Sequence, residues 1–382
     1  MSYRIKEVKV ERAMDQLKSR NAERTLMKAW RLEGLGKRLC FTDIPVPEIR
    51  PGSVLIRIEA SPLLSYFKDY IEGRLAFYSP PKGEFTPGTN GVGVIEAIGR
   101  DVWHLKPGQR VVFSPHLVAS ENVEDPGQIL IGLTAFGNGA SNVQADWRDG
   151  SLAEYALAPV STITPADHLE NFNAAQLAVL NRFIVPYGGL LRGRLAAGET
   201  LVVNGATGAY GTAAVLLGVA MGAGKVVAAG RNEKRLAAVV RAAGPRVVPV
   251  KLSGDQQRDT AELTKAAGGR AQIALDLVGQ ATDSSATLAV LHSLSRGGRL
   301  VLMGSMTTSL SLSYSDLLRN NWEILGQFMY SSGAYRRLID LLRVGLLDIR
   351  VIRPVTFPLA RLREAADAAA KADNLECVVV QP

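Results

Sequence analysis

Two hydrophobic periodicities divide the chain. From Met27 to about Thr164 apolar and polar positions alternate in short runs. VLIRIEA (54–60) reads as a strand, and GVGVIEAIG (91–99) as another whose glycines allow close backbone approach. LKPGQRVVF (105–113) is a Pro-Gly turn running into a third strand. Short strands separated by turns predict a partly open β-barrel. The middle of the chain follows a different rule. LVVNGA (201–206), KVVAAG (225–230), RVVPV (246–250), QIALDLVG (272–279), GRLVLMG (298–304) and WEILGQF (322–328) are compact apolar runs. Helical stretches such as NEKRLAAVVRAAG (232–244) lie between the earlier ones. Strands joined through helices require right-handed crossovers and a parallel sheet, the layout of a doubly wound nucleotide-binding domain. A tail from about Met329 returns to short helices and a final strand, ECVVVQ.

The first 26 residues match neither rule. They carry seven basic and four acidic side chains, and 11–24 lacks Gly and Pro, so one polar helix is expected there. Transit peptides avoid acids, so this stretch reads as an N-terminal extension and not a targeting sequence.

Composition narrows the class. At 382 residues the chain is long enough for two or three domains, with 47% hydrophobic and 21% charged positions. Two cysteines, Cys40 and Cys377, exclude a disulfide framework and any thiolate-rich zinc site, and they suit reducing, cytoplasmic conditions. No apolar run reaches the roughly 18 residues of a membrane span, and no secretory signal is recognisable. The net charge of +8 could draw nucleic acid, a phosphorylated cofactor or an acyl-thioester. Its basic residues are scattered, so a solvated surface is expected and a nucleic-acid partner is not.

Chemistry concentrates in NGATGAYG (204–211), which closes one strand and opens a helix. Gly205, Gly208 and Gly211 allow a sharp turn, close approach of a pyrophosphate, and tight packing of helix on strand. The free N–H groups and positive dipole of the helix start then favour phosphate. NAD specificity generally needs an acid at the end of the second strand, to hold a ribose hydroxyl. Here Gly230 is followed by Arg231 and, one turn on, Lys234. Cations in that place favour a 2′-phosphate, so the expected cofactor is NADPH.

MKAWRLEG, IPVPEIRPGSVLIRIEASP, PGTNGVGVIEAIG, LKPGQRVV, GSLAEYA, GETLVVNGATGAYG, ALDLVG and GGRLVLMGS occur in this order. With these landmarks the chain resembles the medium-chain dehydrogenase/reductase superfamily, specifically its zinc-independent quinone oxidoreductase-like branch. The resemblance implies an α/β protein: a GroES-like β-barrel catalytic domain (27–164 plus 329–382) and a doubly wound Rossmann domain (165–328), with the active site between them. It also implies cofactor contacts at Thr207, Ala209 and Tyr210, at Val278 and Gly279 after the fourth strand, and at Gly304 and Ser305 after the fifth.

Zinc-dependent members of the superfamily place a Cys soon after the first barrel strands, where this chain has SPLLS (61–65). Their ligand His corresponds to Thr89, and their second Cys to Asn181. No metal is therefore expected. The histidines His104, His116, His168 and His292 read as surface or loop residues. Without a Lewis acid an already activated acceptor is the easier target. Tyr66 matches the branch's active-site tyrosine as a donor to a developing enolate, with Tyr70 and Tyr78 as rivals and Asn181 as a substrate-orienting amide. The stretch 114–148, with Phe136 and Trp147, is expected to shape the cleft. These readings converge on an NADPH-dependent reductase of quinones or α,β-unsaturated carbonyls. An enoyl-thioester reductase and a weakly catalytic NADPH-binding sensor or RNA-associated protein remain as alternatives. A homodimer through the Rossmann edge near 324–330 is what the resemblance implies for assembly.

Overall fold

The computed structural model describes residues 25–382; the predicted N-terminal helix over 11–24 lies outside the described residues. The chain opens with an antiparallel pair, β1 (Leu26–Leu32) and β2 (Leu39–Pro45). Then come β3 (Ser53–Pro62), β4 (Gly91–Ile98) and β5 (Arg110–Phe113), a small sheet of β6 (His116–Val118), β7 (Gln128–Leu130) and β8 (Thr134–Phe136), and the strands β9 (Tyr155–Pro159) and β10 (Ile163–Pro165). The larger sheet runs β10-β5-β4-β3 and continues into β18 (Glu376–Gln381) and β17 (Arg353–Pro358), with β9 also on β3. The C-terminal tail thus completes the sheet that the first third of the chain begins. Alternation places Val54, Ile56 and Ile58 of β3 inside with Val111 and Phe113, forming the barrel core.

The middle of the chain forms a six-stranded, wholly parallel sheet. Its order is β13 (Val247–Lys251), β12 (Lys225–Gly230), β11 (Thr200–Asn204), β14 (Ala271–Asp276), β15 (Leu294–Leu302) and β16 (Glu323–Gly326). The strand order reverses at β11, which is where an open α/β sheet leaves a crevice at its carboxyl edge. Near-continuous Val, Ile, Leu and Ala suit strands covered on both faces: Leu201, Val202 and Val203 are fully buried.

One apolar cluster crosses between the two sheets. It joins Ala60 and Val92 of the barrel and Val379 of the tail to Phe183, Leu201 and Val203. The helix Leu180–Arg192 runs through this seam, so its residues are positioned by both lobes.

A glycine-rich turn facing a tyrosine cluster

The turn after β11 has the geometry its glycines predict. Gly205 takes φ +80, a left-handed conformation that costs a side chain strain. The helix that follows, Ala209–Ala220, starts at Gly208 with no side-chain cap, leaving its first N–H groups for another acceptor. A Cβ on Gly211 would lie 2.0 Å from the Gly205 carbonyl oxygen, and one on Gly304 2.1 Å from that of Val278. Both sites therefore admit only glycine without backbone movement. Gly211→Ala is expected to weaken nicotinamide-dinucleotide binding at least tenfold and to lower the Tm by several degrees, read by fluorescence titration and thermal melting.

Beneath the turn, the buried Asp276 carboxylate accepts from Val278 N (2.9 Å) and Asn204 Nδ2 (3.2 Å) and also binds the Thr287 hydroxyl. Burial raises its pKa, and these bonds oppose the rise. It fixes the loop after β14 against the end of β11. Ser305 Oγ donates to Gly279 O (3.3 Å) and Thr308 Oγ1 to Ala281 O (3.2 Å), joining the loops after β14 and β15. Gly279, Ser305 and Arg231 line one groove of about 370 Å³, which Phe77 of the barrel lobe borders from the other side. Thr207 packs on Gly230, where a Cβ would meet its methyl at 2.8 Å. Lys234 is exposed but lies outside the lining of that groove, and Arg235 turns away to Asp373 (3.1 Å).

Across the cleft, Tyr66 stands just before the helix Phe67–Ile71. Its phenol lies beside those of Tyr78 and, across the seam, of Tyr210 on the turn, and both neighbours bear on its pKa. Burial pushes the Tyr66 phenol well above its ordinary value, and burial pushes Tyr78 up to about 12. Tyr70 is no free donor: its hydroxyl is held by Leu133 O at 2.6 Å.

Further aromatics close the cleft, and the sequence did not single them out. Tyr330 OH meets Ser114 Oγ at 2.7 Å, and Tyr335 OH accepts from Asn90 Nδ2 at 2.5 Å. His116 is not a surface residue. Its ring packs edge-on against Phe328 (5.8 Å) and Tyr330 (5.4 Å), Nε2 meets Gln128 Oε1 at 3.2 Å, and burial lowers its pKa. Phe136 packs on Phe328 at 4.5 Å, as expected of a cleft residue, whereas Trp147 is drawn elsewhere. The Arg50 guanidinium sits 4.0 Å over its ring, beside Met27 and Ile44.

The places of the superfamily's zinc ligands hold no metal donors. The first falls in 61–65, a stretch of Ser, Pro and Leu whose Ser61 Oγ donates to Ser151 O (2.8 Å), while Thr89 Oγ1 and Asn181 Oδ1 are buried without hydrogen-bond partners. Among the described residues no group of three or more His, Cys, Asp or Glu could hold a metal ion. Hydroxyl and amide groups do not fit zinc.

A parallel sheet with a glycine turn at its switch point, facing a polar cleft from a second lobe, defines a dinucleotide-dependent enzyme class. The model for the alcohol dehydrogenase GroES-like domain matches residues 50–168, and that for zinc-binding dehydrogenase matches 209–343. The chain is similar to an NAD-dependent alcohol dehydrogenase of Sulfurisphaera tokodaii, 25% identical over 92% of this chain and 98% of that one. It is also similar to quinone oxidoreductase-like protein 2 of Mus musculus, 29% identical over 76% and 74% respectively. A Sinorhizobium meliloti 1021 structure bound to NADP superposes with a TM-score of 0.73 at 20% identity, covering 94% of this chain and 100% of that one. The chain belongs to the medium-chain dehydrogenase/reductase superfamily and is an oxidoreductase of that family. No helix among the described residues is long and apolar enough to cross a membrane.

Proposed function

We propose that this protein is an NADPH-dependent, zinc-independent reductase that delivers hydride to a quinone or an α,β-unsaturated carbonyl. The observation that carries the reading is the Tyr66 phenol beside Tyr210 of the dinucleotide turn, with Thr89 and Asn181 where the resemblance puts metal ligands. The cradle made by Gly205, Gly208, Gly211 and Gly304 fits a pyrophosphate, and Arg231 at the groove wall suits a 2′-phosphate.

NADPH supplies the hydride when bound. The protein's own part is to hold the acceptor and to manage charge on its oxygen. Tyr66 donates a hydrogen bond to the carbonyl oxygen as negative charge develops there, and its raised pKa keeps the phenol protonated. Tyr330, buried and packed on His116, helps keep water from the acceptor. Asn181 orients the acceptor through its amide. A quinone or enone needs no Lewis acid, because conjugation has already made the reacting carbon electrophilic.

The test is NADPH oxidation with a quinone, a 2-alkenal and a crotonyl thioester, before and after chelator treatment. Turnover of the quinone or alkenal, unchanged within twofold by chelator, is the expected result. Activity that disappears with chelator and returns with zinc would sink the reading, and preference for the thioester would make the protein an enoyl-thioester reductase. The edge strand β16 is the proposed face of a homodimer.

A further inference from the structure

Arg182 is the one basic side chain among the described residues that is fully buried, at 5% exposure. It stands in the helix Leu180–Arg192 at the seam between the lobes, where its Nη2 donates to the Glu376 carbonyl of β18 at 3.2 Å. No carboxylate among the described residues pairs with it. The other partly or wholly buried arginines with short charge contacts have one: Arg31 has Asp149, Arg299 has Glu199, and Arg110 has Glu59. A guanidinium removed from water without a counter-ion is costly, and it cannot shed its proton. Its charge reaches the Tyr210 phenol, whose pKa it lowers against the dominant effect of burial. The adjacent Asn181 carries an unpaired buried amide oxygen. A cation, an amide and phenols therefore meet at the seam with no acid to balance them.

We infer that Arg182 is the anchor for a carboxylate on the acceptor, so that the substrates are enones or quinones bearing an acid group. This rests on the reductase reading and narrows it. The acid supplies the missing counter-charge through paired N–H···O bonds to the guanidinium. Truncation of such a charge-assisted pair is worth about 100-fold in affinity.

The test compares a 4-oxo-2-alkenoate with its methyl ester, in the wild type, Arg182→Met and Arg182→Lys, with folding of each variant followed by its Tm. The wild type is expected to use the acid about 100-fold better in kcat/KM. Arg182→Met should raise KM for the acid by a similar factor and leave the ester within threefold, with Arg182→Lys intermediate. Equal use of acid and ester by the wild type, or an equal loss of kcat for both in a folded Arg182→Met, overturns the assignment. A saturated 4-oxoalkanoate gives a readout independent of turnover, as a rise in Tm in the presence of NADPH. A rise abolished by Arg182→Met, without turnover of either acceptor, upholds the anion site and overturns the reductase reading. Turnover without any acid preference does the reverse.

Discussion

Arg231→Glu is expected to lower kcat/KM with NADPH by about 10²- to 10³-fold while leaving NADH at or above its wild-type level. Arginine pairs with a phosphate through two parallel charge-assisted bonds, each worth about 1.5–3 kcal/mol, and a carboxylate in its place adds repulsion. The surroundings of β12 leave this task to Arg231. The strand ends at Gly230, so no acid stands where a ribose hydroxyl would be held. Glu233, the first acid after it, is engaged by Lys251 at 3.2 Å, and Arg235 by Asp373. Arg231 remains exposed on the wall of the groove formed with Gly279 and Ser305, its charge felt by the Asp283 carboxyl. Steady-state kinetics with both cofactors decide the matter. An unchanged NADPH-to-NADH ratio in Arg231→Glu would remove Arg231 from cofactor choice and shift that role to Lys234.

The parts legible in the sequence are those governed by local pattern. KVVAAG is β12 residue for residue, and the other apolar runs of the middle segment each contain or overlap a strand of the parallel sheet. A strand buried on both faces reads as an unbroken apolar run, and no distant residue is needed to recognise it. The glycine turn was readable for the same reason, since φ +80 at Gly205 and the close contact at Gly211 are backbone demands of one short loop. The cleft obeys no such rule. Tyr66, Tyr210, Tyr330 and Arg182 come from four separate elements, and only the packing of one lobe on the other brings them together. Arg182 carried one sequence signal, a lone charge within LNRFIVPYGGLL, an otherwise apolar helical stretch. His116 and Trp147 show the converse. An isolated histidine is half-buried by partners about 200 residues away, and an aromatic in the stretch expected to shape the cleft is claimed by the nearer cation of Arg50.

Tyr66→Phe is expected to lower kcat about 10²-fold with little change in NADPH affinity, since it removes one hydrogen-bond donor from the developing oxyanion and almost no volume. The residue's surroundings set the pH dependence. Burial raises the Tyr66 phenol well above 10, with the neighbouring Tyr78 charge adding to the rise, and Tyr78 itself stands at about 12. A phenol donates only while protonated, so kcat should hold level across pH 7–9 and show no alkaline fall from this group. The same shifts make a stability statement. Tyr66, Tyr210, Tyr330 and Tyr335 all have folded-state values above the ordinary 10, so the folded chain binds more protons than the unfolded one above that pH. Stability is then fully present below pH 10 and falls as the pH rises beyond it. Tyr66→Phe should fall less steeply there, because it removes one of these buried phenols. Full kcat in Tyr66→Phe together with loss in Tyr78→Phe would transfer the donor role to Tyr78, the more acidic of that pair. Loss of kcat and NADPH affinity together would instead mark Tyr66 as a strut that holds the Tyr210 side of the turn in place.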